Sequence, residues 1–312
     1  MGVLVVFAAS VSIAVIMVHA ALKKPAADRI AVYDPDLEFP VTGEPKKQEC
    51  GFVEPVVSPP AVESSQPPIS RPQTGNVPVR NNPAPERPPE NLRTLVFVID
   101  DAGNNLHELD AFLNIPFPLT IAVLPGLPHS AEAARRIRAA GKEVFLHQPM
   151  EAQGGQNPGP AAIYSGMSSD EIRSILKRNI VEVGPVAGIN NHQGSKVTMD
   201  REAMETVLLF CIEQRLCFLD SRTTAGTIVP AMAKNLGMKV GERDVFIDNE
   251  QDAESMLRSV SGGLEKARQN GSAVLIGHTW SPELAPLLAK QFPALARQGY
   301  SLKTASAIMK GR

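Results

Sequence analysis

From about residue 92 to residue 310, apolar positions recur in two alternating rhythms. Short runs dense in Val, Ile, Leu and Phe, bounded by Gly, Pro, Asn or Asp, predict buried strands over 95–99, 119–124, 143–147, 186–190, 216–220, 243–247, 273–277 and 300–303. Between them, apolar residues three and four apart predict amphipathic helices over 105–113, 129–140, 169–183, 200–214, 227–236, 251–269 and 283–297. Strands alternating with helices form a parallel sheet wrapped by helices, so the fold class is α/β. Seven or eight units in about 220 residues predict a distorted (β/α)7-8 barrel, somewhat short of the roughly 250 residues of eight full units. An open doubly wound sheet is the competing arrangement. The barrel is favoured because polar residues able to bind a ligand follow many of the strands, and a barrel gathers such residues at one rim.

The first 91 residues follow neither rhythm. Residues 1–22 are almost wholly apolar and are followed by Lys23 and Lys24, a run long enough to span a bilayer. Val18-His19-Ala20 has the small-x-small form of a signal cleavage site, although a basic stretch before the apolar run is missing. The segment predicts a signal peptide or membrane anchor, and hence an exported protein, periplasmic or anchored in the bacterial inner membrane. Residues 23–91 hold more than half of the 27 prolines, several in pairs such as Pro59-Pro60 and Pro88-Pro89. Such a stretch buries too little apolar surface to fold alone and predicts a disordered tether, leaving 92–312 as the folded domain.

Composition narrows the partners. The 312-residue chain has a formal net charge of −2 and lacks a basic block with interleaved aromatics, which argues against nucleic acid. Its three cysteines, Cys50, Cys211 and Cys217, form no C-x-x-C pair, and the last two read as small core residues.

The chemistry collects at strand ends. The first strand delivers Asp100 and Asp101 onto a turn at Ala102-Gly103. Adjacent carboxylates repel near a core edge unless a cation or a shared proton relieves them, although a solvated turn with one acid capping the next helix is the simpler alternative. Later strand ends add His147 with Glu151, then Asn190-Asn191-His192-Gln193-Gly194-Ser195, then Asp220-Ser221-Arg222-Thr223, then His278 with Trp280. Three histidines at equivalent strand ends, opposite a paired aspartate, favour a metal or acid–base site.

In this order, Val98-Ile99-Asp100-Asp101-Ala102-Gly103, Leu127-Pro128-His129-Ser130, His147-Gln148-Pro149-Met150-Glu151, Asn190 to Ser195, Asp220 to Thr223 and Ile276-Gly277-His278 resemble the divergent polysaccharide deacetylase family over about 92–310. The resemblance implies a distorted barrel of the carbohydrate esterase kind and a metal-dependent hydrolase that removes acyl groups from a cell-envelope polysaccharide. It also implies that Asp100 is the base and that Asp101 holds a divalent metal with two histidines. Relatives carry His-x-x-x-His after the third strand, whereas here the last position is Glu151. His192 from the fourth strand then supplies the second nitrogen, with Glu151 as the alternative ligand. One oxygen and two nitrogen donors with open positions suit catalytic Zn²⁺, without excluding Ni²⁺, Co²⁺ or Mn²⁺. By analogy, His278 protonates the leaving group. Asn191, Ser195, Asp220, Arg222 and Trp280 are substrate or supporting residues. Asp220 and Arg222 either orient the site or pair with each other, and Trp280 either stacks on a sugar or packs a loop. The competing reading is a degenerate barrel, its chemistry lost with the incomplete histidine pair, acting as an envelope glycan-binding or scaffolding module.

Overall fold

The computed structural model describes residues 93–310, so the expectations for the apolar segment 1–22 and the Pro-rich segment 23–91 concern residues outside that range. No helix among the described residues is long and apolar enough to cross a membrane.

The fold is built around strand β1, Arg93–Ala102, whose residues Leu95 to Ile99 are all buried. Strands β2 (Thr120–Val123), β3 (Glu143–Met150), β4 (Gly188–Gln193) and β5 (Cys217–Asp220) follow on one side in sequence order. Strand β8, Ser272–His278, pairs with the other edge of β1 from Thr94↔Ser272 to Asp100↔His278. Strand β9, Tyr300–Lys303, pairs with the first half of β1. Every named pairing is parallel.

One stretch brings the ends of this sheet together. The sequence predicts a single strand over 243–247. Instead, β6 (Gly241–Glu242) pairs with β5, and β7 (Val245–Phe246) pairs with β8. Only Arg243 and Asp244 separate the two, and their backbone N–H groups reach Asp220 O at 3.0 Å and Val274 O at 2.9 Å. The sheet therefore curls until its first and last strands are consecutive in the chain, a distorted barrel rather than an open doubly wound sheet.

Side-chain alternation divides the apolar residues between two cores. Val96, Val98, Ala122, Phe145, Cys217, Leu219, Val274 and Ile276 pack together inside the curl. Their neighbours Leu95, Phe97, Ile99, Ile121, Val144, Leu146, Phe218 and Leu275 face the surrounding helices. Those helices are α1 (Leu106–Leu113), α2 (Ser130–Ala139), α3 (Ser169–Val183), α4 (Arg201–Gln214), α5 (Val229–Asn235), α6 (Ala253–Asn270) and α7 (Leu284–Arg297). Local chemistry starts several of them: Ser168 and Glu171 form a capping box on α3, and the side chains of Asp200 and Asp252 cap α4 and α6.

The inner core is closed at the N-terminal end of the strands by a helix that the apolar pattern did not reveal, α8, Ala305–Lys310. Ala305 and Met309 join the interior cluster. The Ala305 N–H donates to Thr120 Oγ1 at 2.8 Å and the Ser306 N–H to Glu143 Oε2 at 3.1 Å, both acceptors on inward-facing strand positions. At the opposite end, the same inward parity continues through Asp100, His147, Asn190, Ser221 and His278.

Candidate metal centre

Period-2 alternation would send Asp100 and Asp101 to opposite faces of β1. A bulge prevents this. Ile99 pairs with Ile121 and Ala102 with Val123, so β1 spends three residues where β2 spends two. Asp101 takes up the difference with φ of +65°, in the left-handed region that a non-glycine residue seldom occupies. Neighbouring backbone and hydroxyl groups pin the bulge: Thr279 N–H donates to Asp100 O at 3.0 Å and Thr279 Oγ1 to Asp101 O at 3.1 Å. Both carboxylates consequently meet His147, whose Nε2 lies 3.6 Å from Asp100 Oδ2 and 3.3 Å from Asp101 Oδ1.

His192 arrives from β4, its Nδ1 3.0 Å from Asp101 Oδ1 and 3.2 Å from His147 Nε2. One atom each from Asp101, His147 and His192 thus lies within 4.8 Å of the other two. Asp101 Oδ1 is buried and makes no hydrogen bond. A buried carboxylate oxygen facing two imidazole nitrogens is a donor set that suits a divalent cation.

Asn190 fixes the orientation of this set. Its Nδ2 donates to Asp100 Oδ1 at 2.9 Å, which aims its Oδ1 at His147 Nδ1, also at 2.9 Å. His147 must therefore donate from Nδ1, and its Nε2 lone pair is turned toward Asp101 and His192 when the ring is neutral. His278 stands next to this set on β8, where it is the register partner of Asp100. Its Nδ1 meets Asp248 Oδ1 at 2.9 Å, and Asp248 Oδ2 accepts the His278 backbone N–H at 2.8 Å. The His278 ring stacks between Phe246 and Trp280, at centroid separations of 5.8 and 4.8 Å.

The electrostatics differ from group to group. Burial pushes the Asp100 carboxyl above its ordinary pKa, against the pull of His147 and His278. Burial opposes ionisation of Asp101 as well, but contact with both imidazoles outweighs it and holds that carboxyl far below the usual carboxylate range. In His147, burial alone would lower the pKa; Asp100 and Asp101 instead raise it to about 9. His278 is also raised, since Asp248 and the nearby carboxylates overcome its burial.

The remaining sequence candidates take other places. Glu151, the alternative ligand, is turned away, with Oε1 2.8 Å from Lys196 Nζ and Oε2 accepting the Ser165 N–H at 2.9 Å. Asn191 Oδ1 accepts the Ser221 N–H at 2.9 Å, and Ser195 Oγ accepts the Gln153 N–H at 3.0 Å, so both brace rim loops. Asp220 and Arg222 do not pair through their side chains. Asp220 is held by the Arg222 backbone N–H and Thr227 Oγ1, while the Arg222 guanidinium meets Glu242. Trp280 donates its indole N–H to Asp101 Oδ2 at 2.9 Å. Two residues at the site went unassigned in the sequence, Asn190 and Asp248. Asp248 had a usable signal, an acid one residue beyond the strand expected at 243–247.

A curled parallel barrel with two carboxylates and three histidines at the C-terminal strand ends defines the class of architecture. Residues 97–309 match the family described as divergent polysaccharide deacetylase, and the chain belongs to that family. It is 36% identical over 184 residues to the uncharacterised protein YibQ of Escherichia coli strain K12, covering 59% of this chain and 58% of YibQ. An uncharacterised protein of Haemophilus influenzae is 29% identical over 197 residues, covering 62% of this chain and 70% of that one. The crystal structure of an uncharacterised protein from Agrobacterium tumefaciens C58 superposes with a TM-score of 0.66 at 22% identity, covering 69% of this chain and 89% of that one. This last likeness concerns the fold.

Proposed function

We propose that the protein is a metal-dependent hydrolase that removes acetyl groups from a cell-envelope polysaccharide. The observation that carries this reading is the bulge at Asp101, which turns two sequence-adjacent carboxylates toward His147 and His192. A divalent cation held by Asp101, His147 and His192, Zn²⁺ first with Ni²⁺, Co²⁺ or Mn²⁺ as alternatives, supplies Lewis-acid polarisation of the acyl carbonyl and lowers the pKa of water.

The protein's own groups divide the proton transfers. Asp100, with its pKa raised by burial, accepts the proton of the attacking water. Asn190 occupies Asp100 Oδ1, so Oδ2 is the oxygen available for that proton. His278, held through Nδ1 by Asp248, presents its other ring nitrogen to the leaving amine or alcohol. Asp248 and the nearby carboxylates raise its pKa against its burial, which favours the protonated form that an acid requires. His192 and His278 retain 24% and 20% exposure of their side chains, so both rings are reachable from solvent.

The test is acetate release from acetylated envelope glycans by protein depleted of metal and reloaded with Zn²⁺. Release that requires the metal supports the hydrolase. Metal binding with no release from any glycan, and glycan binding unchanged in Asp100→Asn, would favour the scaffolding alternative. We also propose action outside the cytoplasm, supported by the apolar run 1–22 and the Pro-rich stretch after it. Alkaline phosphatase fused after residue 95 should be active in a bacterial host; an inactive fusion would reverse the assignment.

A further inference from the structure

Asp101 has two oxygens, and they have different surroundings. Oδ1 faces the nitrogens of His147 and His192, while Oδ2 receives the indole N–H of Trp280 at 2.9 Å. Indole nitrogen donates only; it neither accepts a proton from the site nor binds a cation itself. A hydrogen bond to an ionised carboxylate is charge-assisted and directional, so Trp280 restrains rotation of the group that carries Oδ1. The same ring lies against His278, with centroids 4.8 Å apart and planes 21° from parallel. Yet Trp280 is 42% exposed, too exposed for core packing to be its main role.

We propose that Trp280 is a positioning residue for the cation site: its N–H occupies Asp101 Oδ2, so that Oδ1 alone is offered toward the histidines, and its ring holds His278 beside them. The proposal rests on the metal-dependent reading above. It assigns to an exposed rim aromatic a part in metal affinity, where an aromatic that only stacks on a sugar would have none. Partners that orient metal ligands typically contribute 10- to 100-fold in affinity.

The test uses the full chain and Zn²⁺ or Co²⁺ alone as probes. Trp280→Phe keeps a stacking ring and removes the N–H, so its Zn²⁺ dissociation constant, measured by chelator competition, should rise about 10- to 100-fold. The melting temperature of its metal-free form should remain that of the unsubstituted protein. The visible spectrum of bound Co²⁺ should also change, because both Asp101 oxygens become available. Trp280 is the sole tryptophan, so Zn²⁺ added to the unsubstituted protein should alter its fluorescence and saturate at one equivalent. A Zn²⁺ affinity within twofold in Trp280→Phe, with KM for glycan raised, would overturn the proposal in favour of sugar stacking. Failure of the unsubstituted protein to bind either metal would overturn both this proposal and the reading beneath it.

Discussion

Asp100 and Asp101 occupy successive positions yet face opposite electrostatic demands, one raised by burial and the other lowered by its imidazole contacts. That separation is what a base and a ligand need. Asp100→Asn should therefore leave Zn²⁺ affinity nearly unchanged while acetate release falls by roughly the 10²–10⁴-fold of a lost general base. A large loss of Zn²⁺ binding would place Asp100 among the ligands. The raised His147 makes a second prediction. Its pKa moves from an ordinary 6.5 to about 9 in the folded protein, so the stabilisation is fully present below pH 6.5 and is lost as the pH rises through 9. Metal-free protein should accordingly melt at a lower temperature at pH 9 than at pH 6.5. With saturating Zn²⁺ the decline should disappear, because the cation competes with that proton and binds more tightly as pH rises. A flat profile without metal would mean that the carboxylates do not retain the His147 proton. The residue types at the site were legible in the sequence, but the direction of Asp101 was not. Alternation along a strand sends neighbours apart, and the bulge arises from pairing with β2, which no local pattern records.

At the scale of elements, periodicity located each long helix within a residue or two of its observed ends, and α3 matches the expected 169–183. What it did not reveal was short. A six-residue helix such as α8 has too few positions for an apolar stripe to stand out, and the two-residue strands β6 and β7 have none. One glycine shows how strand spacing depends on a partner strand. Gly188 shares the inward parity of Asn190, and a Cβ there would lie 2.5 Å from Phe145 Cζ and 2.7 Å from Cys217 O. Phe145 fills the interior because Gly188 leaves the room. Gly188→Ala should therefore destabilise the protein by about 1–3 kcal/mol, the usual cost of an overpacked core. Adding Phe145→Leu should recover part of that loss, since two residues in contact couple. Additive losses in denaturant melts would mean that Cys217 O, not the ring, is the obstacle.

For the whole molecule, strand–helix alternation and ligand-capable strand ends distinguished a barrel from an open sheet before the closure itself was visible. Closure depends on 241–246 pairing with β5 at one end and β8 at the other, a long-range choice carried by too few residues to be read locally. The curled sheet then has two differently built ends. The C-terminal end converges on Asp101, His147 and His192, while the N-terminal end is stoppered by α8 through Thr120, Glu143 and the interior side chain of Met309. Between them lies an apolar plug that includes Val96, Val98, Phe145, Leu219 and Ile276, and distant sites that share no partners usually respond to substitution independently. Stability and metal binding should therefore separate along the barrel axis. Met309→Ala removes a buried side chain far along the chain from any proposed ligand and should cost about 2–5 kcal/mol. If the plug insulates the rim, Zn²⁺ affinity measured well below the melting temperature should stay within twofold of the unsubstituted protein. A tenfold loss of affinity in Met309→Ala would show instead that the stopper holds the strand ends in register, and that the two ends of the barrel act as one unit.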